Sequence, residues 1–314
     1  MNYFKIRNRT KQFESVTGLK VEEFDKLFPT FSAQWRNFYR IHRINGTKRA
    51  APLMNPDKAT KTLPSTEEKL FFILVYLKNY TLQEMLAASF DFSQSQASKW
   101  QKILTPLLQQ TLKKLNMTPA RTGNQVKPIL EKLGETQCFQ DVSERNINRP
   151  QDSDTQEVFY SGKKKAHTIK NNFLTTQSQY VVYLSPTHEG TVHDKRIADE
   201  DEAVFPDDIH LFQDSGFQGF QPDNVFIVQP FKKPRNGELC ELKRWFNRYV
   251  SKIRICVEHA ISGIKRFRIV KEKCRHFRQQ FRDQIIEVCT ALHNFRVCSP
   301  FRKYEKCKFK WSVN

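Results

Sequence analysis

The chain has 314 residues, with 52 Lys and Arg against 33 Asp and Glu and a formal net charge of +19. Its 39% hydrophobic and 12% aromatic content, including 26 Phe, is enough to build a core, which excludes a disordered polymer; the length suggests about two domains. No apolar run approaches the roughly 18 residues of a membrane span, and the charged start MNYFKIRNRTKQF lacks a signal-peptide core, so a cytoplasmic chain with no membrane partner is expected.

The seven cysteines (138, 240, 256, 274, 289, 298 and 307) form no CxxC pair, which fits reduced and mostly buried thiols rather than a disulfide framework or a zinc finger. The charge is unevenly divided. Residues 231–314 hold 22 basic and 7 acidic side chains, residues 141–230 hold 8 and 15, and residues 1–140 hold 22 and 11. Basic flanks suit a polyphosphate such as nucleic acid, whereas an acidic centre is repelled by it unless divalent cations intervene.

In chain order, an apolar-periodic stretch near Val21 to Phe31 precedes a Pro-bearing linker, NGTKRAAPLMNPDKATKTLP. Ser65 or Thr66 then caps a helix whose Glu67 and Glu68 suit its positive end. Thr81 is expected to cap the next, with Leu82, Met85, Leu86 and Phe90 inward. After a break at Asp91-Phe92, Ser93 caps a helix with Ala97, Trp100, Ile103 and Leu104 inward. This pair has helix-turn-helix dimensions, and its second helix would offer Gln94, Ser95, Gln96, Ser98 and Lys99 to bases or phosphates. PARTGNQVKP, from Pro119, reads as a second linker.

From about residue 135 the period becomes that of strands: TQCFQD, KKAHTIKNNF, QYVVYLS, HLFQDSGF and NVFIVQPF. Thr191 with Asp194 resembles a capping box, and Glu238 to about Lys273 reads as one long basic helix. The fold class is therefore α/β (α+β): a mixed sheet with flanking helices, preceded by an all-helical module.

Asp141 ends the first strand, Asp214 ends the fourth, and Glu258 lies within the long helix among apolar residues. Three carboxylates brought together call for Mg²⁺ or Mn²⁺, hard ions that prefer oxygen ligands, and two such ions can drive phosphoryl transfer. Arg254, Glu258 and Lys265 are spaced by four and seven residues and share a helix face; the alternative for this face is an ordinary Arg254–Glu258 surface pair. Lys163, Lys164 and Lys165 follow Gly162 on a hairpin and suit phosphate contact. Glu144 suits either a metal-proximal or a surface role, and Trp100, Trp245 and Trp311 read as core residues, with base-stacking platforms as the alternative.

The ordered series CFQDVSERNINRP, FYSGKKKAHTIK, EGTVHDKRI, FQDSGFQG, QPFKKPRNGELC and RICVEHAISGIKRFRI resembles the DDE transposases of bacterial insertion sequences. The nearest group is the insertion-sequence-five family with its Harbinger-type eukaryotic relatives. The resemblance implies a ribonuclease-H-like fold with Asp141, Asp214 and Glu258 as catalytic, metal-holding triad. Arg254 and Lys265 match the family's Y-x2-R-x3-E-x6-K signature and join Gln94, Gln96, Ser98, Lys99 and Lys163–Lys165 as DNA-binding residues. His193 and Asp194 match its His-Asp pair, in a supporting or structural role. Ser251 stands where the family has Tyr, with Tyr249 close by, and Val142 and Ser143 depart from the family's small residue and Thr.

The implied domains are an N-terminal helical and linker region (1–60), a helix-turn-helix module (61–118), the endonuclease domain (135–297) and a basic tail (298–314). The implied activity is metal-assisted cutting at element ends, followed by joining of the 3′-OH to target DNA. The implied partners are double-stranded DNA (inverted repeats and target) and, on symmetry grounds, a second copy, in a nucleoid-associated setting. A domesticated DNA-binding protein without catalysis, and a metal-dependent nuclease without strand transfer, are the alternatives.

Overall fold

The computed structural model describes residues 1–56 and 60–302; Trp311, Cys307 and most of the basic tail lie outside the described residues. It divides into two compact units, one of Met1–Thr118, Lys265–Glu272 and Gln284–Phe301, the other built on Pro119–Ile264 and Lys273–Asp283.

The first unit is helical. It opens with α1 (Tyr3–Arg7), α2 (Thr10–Thr17) and α3 (Val21–Ile41). The periodic stretch expected near Val21 to Phe31 thus runs ten residues further, to Ile41, and the helix holds Pro29 in its interior. α4 (Thr66–Asn79) starts on the expected cap: Ser65 and Glu68 form a reciprocal capping box. Leu70 to Leu77 are all buried, which makes α4 the central helix of the unit. Phe13 stacks on Phe71 and Phe90 meets Phe72 edge-on, so the Phe-rich composition becomes an aromatic core around it.

α5 (Gln83–Ser89) and α6 (Gln94–Lys114) come next in the chain. The cap of α5 falls on Leu82 rather than Thr81, and Leu82 and Met85 are exposed, because this short helix buries only Leu86 and Ala87. α6 begins after Ser93 and buries Ala97, Trp100, Ile103 and Leu104 as the spacing requires.

The second unit opens with α7 (Val126–Leu133), where Val126, Leu130 and Leu133 are buried; the stretch read as a linker therefore ends in a packed helix, with Pro128 tolerated in its first turn. The remaining elements are β1 (Gln137–Asn146), α8 (Ser153–Phe159), β2 (Tyr160–Ser161), β3 (Ala166–Thr176), β4 (Val181–Leu184), β5 (His188–Glu189), α9 (Asp194–Glu200), β6 (Ile209–Phe212), β7 (Val225–Val228) and α10 (Glu241–Lys265). α9 starts after His193, beyond the expected capping box; the Thr191 hydroxyl instead donates to the Val158 carbonyl. The long basic helix stops at Lys265 and is followed by α11 (Arg268–Lys271) and α12 (Gln279–Val297), of which α11 and the part of α12 from Gln284 belong to the helical unit.

The strand order is β4-β3-β1-β6-β7, with β2 and β5 on the same edge of β3 as β4. β1 and β4 run antiparallel to β3, while β1, β6 and β7 run parallel to one another. Three antiparallel strands continued by two parallel ones, with helices between, is the ribonuclease-H-like arrangement.

The register at the centre of this sheet is set by a repeated tripeptide. β1 and the β6 end both read Phe-Gln-Asp, at 139–141 and 212–214, and Phe139 pairs with Phe212. The two rings stack at 5.0 Å and 19°. The next residues are joined through their side chains: Gln213 Nε2 donates to Gln140 Oε1 and Gln229 Nε2 donates to Gln213 Oε1, each at 2.6 Å. Gln140 and Gln213 are buried, so this amide chain across three parallel strands satisfies groups that water does not reach. Replacing Gln213 with Leu strands a buried acceptor on Gln140 and a donor on Gln229. The expected loss of stability is about 1–3 kcal/mol, read by chemical denaturation.

Candidate active site

Carried two residues beyond the paired Phe139 and Phe212, the register sets Asp141 and Asp214 at matched positions, and the charge of Asp214 is among those acting on Asp141. Neighbouring strands lie about 4.8 Å apart, so two carboxylates at matched positions are within reach of a common cation. Burial raises the pKa of Asp141 to about 6 against the opposing pull of Arg254, and the neighbouring charges of Asp214 and Asp194 add to the rise. Asp214 caps a 3-10 turn at Ser215–Phe217, its Oδ1 accepting from the Gly216 amide at 2.7 Å.

A third carboxylate in this neighbourhood belongs to Asp194. A Cβ on Gly216 would come within 2.9 Å of Asp214 Oδ1 and 3.2 Å of Asp194 Oδ2, so the bare glycine backbone lets both carboxylates close over it. Asp194 is held from the sheet side by Lys170. This lysine is nearly buried on β3 and donates to Asp194 Oδ1 at 3.1 Å and to the Val192 carbonyl at 2.9 Å, and it lies 3.8 Å from Glu144 Oε1. Glu144 also accepts from Thr168, which fixes it against β3, so it is not a surface residue and its carboxylate is engaged by Thr168 and Lys170. His193 is exposed at the start of α9.

α10 supplies the other wall. Arg254 makes its ion pair with Asp141, at 3.7 Å and with side chains only 15% and 25% exposed, and not with Glu258 one turn on. Asp141 thereby acquires a partial counter-charge from a helix more than a hundred residues away in sequence. Glu258 is exposed and does not join the two aspartates: among the described residues no three His, Cys, Asp or Glu side chains are gathered tightly enough to hold a metal ion. Asp141 and Asp214 fit a divalent cation in donor type and in charge, since each supplies hard oxygens and Asp141 sits where its own negative charge is disfavoured. Lys265 is the last residue of the helix. Tyr249 does not stand in for the Tyr missing at Ser251, because the step of nine from Tyr249 to Glu258 is about two and a half turns, which puts the two on opposite faces.

Lys163, Lys164 and Lys165 are exposed on the turn between β2 and β3. In the helical unit Gln94, Ser95 and Lys99 are exposed at the start of α6, with Gln96 and Ser98 half-buried. Gln94 is braced by Gln83, which in turn donates to Gln101, so part of this helix start is pre-positioned by α5. Trp100 is buried as expected, but Trp245 is 57% exposed, since the first turns of α10 project beyond the core. Cys138, Cys274, Cys289 and Cys298 are buried, Cys256 is half-buried and Cys240 exposed. No helix among the described residues is long and apolar enough to cross a membrane.

Residues 140–294 match the family described as DDE superfamily endonuclease, and residues 61–114 match the helix-turn-helix of DDE superfamily endonuclease. The chain belongs to the DDE endonuclease superfamily. A relative in Microchaete diplosiphon, described as "Probable transposase for insertion sequence element IS702", is 29% identical over 147 residues, which cover 47% of this chain and 52% of that one. The chain thus spans about half the length of the curated relative it matches. No solved structure matches it. Within the DDE match fall β1, β3, β6 and α10, the elements that carry or lead into Asp141, Lys170, Asp214 and Glu258.

Spacing and family motif did not reveal Lys170 or the Gln140–Gln213–Gln229 chain. Their signals were present in the sequence: a lysine within an otherwise uncharged strand, and a Phe-Gln-Asp written twice.

The raised pKa of Asp141 has a consequence for stability. A carboxylate protonated more readily in the folded than in the unfolded chain costs stability above its folded pKa, and the cost disappears below the unfolded one. Asp141→Asn is therefore expected to be more stable than the natural chain at pH 8, by at most about 3 kcal/mol, the gap closing between pH 6 and pH 4. Thermal melts across pH without divalent ions measure it.

Proposed function

We propose that this chain is a DNA transposase: it cuts at the ends of an element and joins the freed 3′-OH to target DNA by metal-assisted phosphoryl transfer. The observation that supports the reading is the pairing of the two Phe-Gln-Asp segments through Phe139–Phe212 and Gln140–Gln213, each of which leads directly into an aspartate. The acidic pair lies in a chain whose flanks are strongly basic, which is the charge pattern of a site that meets phosphates only together with cations.

In this reading Asp141 and Asp214 would hold Mg²⁺ or Mn²⁺, while Glu258, the third carboxylate of the family motif, stands exposed on α10 apart from them. Bound there, such ions would supply Lewis-acid stabilisation of the charge that develops on the attacking and leaving oxygens. Arg254 holds Asp141 in place and offers its remaining donors to the scissile phosphate. Lys170 supplies Asp194 with a counter-charge beside the aspartate pair. Gly216 admits the backbone to the site without a side chain that would push the carboxylates apart. The exposed start of α6, with Gln94 and Lys99, recognises the terminal inverted repeats, supported by Gln96 and Ser98, while Lys163–Lys165 and Lys265 bind backbone phosphates. Two element ends must be brought together, which calls for a homodimer on DNA.

The test is nicking of supercoiled plasmid carrying the element's ends, with Mg²⁺, and then joining of pre-cleaved ends. Asp214→Asn is expected to lose at least about a hundredfold in nicking while retaining duplex binding. Nicking without joining would make the chain a nuclease only, and duplex binding with no metal-dependent nicking would make it a DNA-binding protein.

A further inference from the structure

The first turns of α10 project from the sheet unit with an uncovered aromatic face. Leu242, Trp245 and Tyr249 are 74%, 57% and 48% exposed. The Trp245 and Tyr249 rings lie one helical turn apart, nearly parallel at 9° with centroids 5.9 Å apart, so together they make a flat double ring open to solvent. The residues α10 buries begin only at Val250, so this tryptophan is left bare on the exposed first turns, and large exposed apolar faces mark binding surfaces.

Charge decides what covers it. Residues 231–256 carry eight Lys and Arg against two Glu. Lys252 lies one turn beyond Tyr249 on the same side of the helix, and Arg248 flanks the pair. The basic loop leading into the helix is tied to it: Asn247 bonds both the amide and the carbonyl of Phe231, and the Lys243 ammonium lies over the Phe231 ring. Two copies of this face would bring two strongly positive helices together, which opposes self-association, whereas a polyanion is attracted. Flat aromatic rings set among cations suit a ligand that has both phosphates and open π-faces. In duplex DNA the base faces are hidden by stacking, and they become available only where a strand is unpaired.

We propose that Trp245, backed by Tyr249, is a stacking site for an unpaired base of single-stranded DNA, held by the basic residues around it. The site lies about 20 Å along α10 from Glu258, so it acts on nucleotides beside the reacting phosphate rather than on that phosphate itself. This rests on the reading of the chain as a DNA-processing enzyme and specifies which form of DNA it holds there.

The experiment uses the full chain with two DNA probes: a single strand carrying 2-aminopurine, and a blunt duplex of the same sequence. In the natural chain, 2-aminopurine fluorescence is expected to be quenched on binding. Trp245→Ala is expected to abolish the quenching and weaken single-strand binding by about 5- to 150-fold, with duplex affinity changed less than about twofold. Trp245→Phe, which keeps a ring, restores most of both. Because the side chain is exposed, circular dichroism of the variants stays that of the natural chain. Unchanged single-strand binding in Trp245→Ala overturns the inference. So does a dimer-to-monomer change in sedimentation with single-strand affinity intact, which would make the face a contact between copies. Either result leaves the proposed function standing when the natural chain binds duplex; a natural chain that binds neither probe overturns both.

Discussion

Pairing of two identical tripeptides in parallel register is the constraint on which the rest of this molecule depends. Phe on Phe and Gln on Gln are favourable neighbours, one apolar and one hydrogen-bonded, and they fix β1 against β6 with no freedom to slip. Asp on Asp is the unfavourable consequence. The charge of Asp214 adds to the burial that already disfavours the ionised form of Asp141. The surroundings offset this only in part: Arg254 approaches Asp141, the Gly216 amide serves Asp214, and Lys170 takes up Asp194. A sheet register that forces negative charges together is stable because the buried layer beneath supplies the stacking and amide bonds, and it leaves a site that a divalent cation would relieve.

Much of this was legible in the sequence. The α4 cap, the break at Asp91, the inward face of α6 and the strand segments around Asp141 and Asp214 are local patterns, and local patterns are what periodicity reads. The family motifs pointed to the same two aspartates. Less legible were features decided by partners distant in sequence. Leu82 and Met85 look inward by spacing but are exposed, since α5 is too short to bury both ends. Trp245 has the residue type of a core but sits on a stretch of helix with little to pack against. Thr191 satisfies a capping-box pattern, yet its hydroxyl finds the Val158 carbonyl and the helix begins at Asp194, where Lys170 meets the carboxylate. Arg254 could have paired with Glu258 by helical spacing, and instead turns to a strand end that no local rule connects to it.

The division of charge along the chain matches a division of labour. The acidic stretch coincides with the sheet and its strand-end aspartates, and the basic stretches with α6, α10 and the segments around them. In the proposed reading, the cations of the flanking stretches hold a long phosphate backbone while the negative centre admits phosphate only in company with metal. The single helix α10 then carries in succession an aromatic face at its exposed start, Arg254 against Asp141, and the exposed Glu258 one turn further.

The central claim is that Asp141 and Asp214 share a cation because strand register leaves them no alternative. The most direct measurement is anomalous diffraction from crystals of the chain grown with Mn²⁺. The expected result is a peak about 2.0–2.3 Å from oxygens of both aspartates, with the Gln140–Gln213 bond intact beneath it. Two aspartates in different registers, or Mn²⁺ bound elsewhere with none between them, would contradict it.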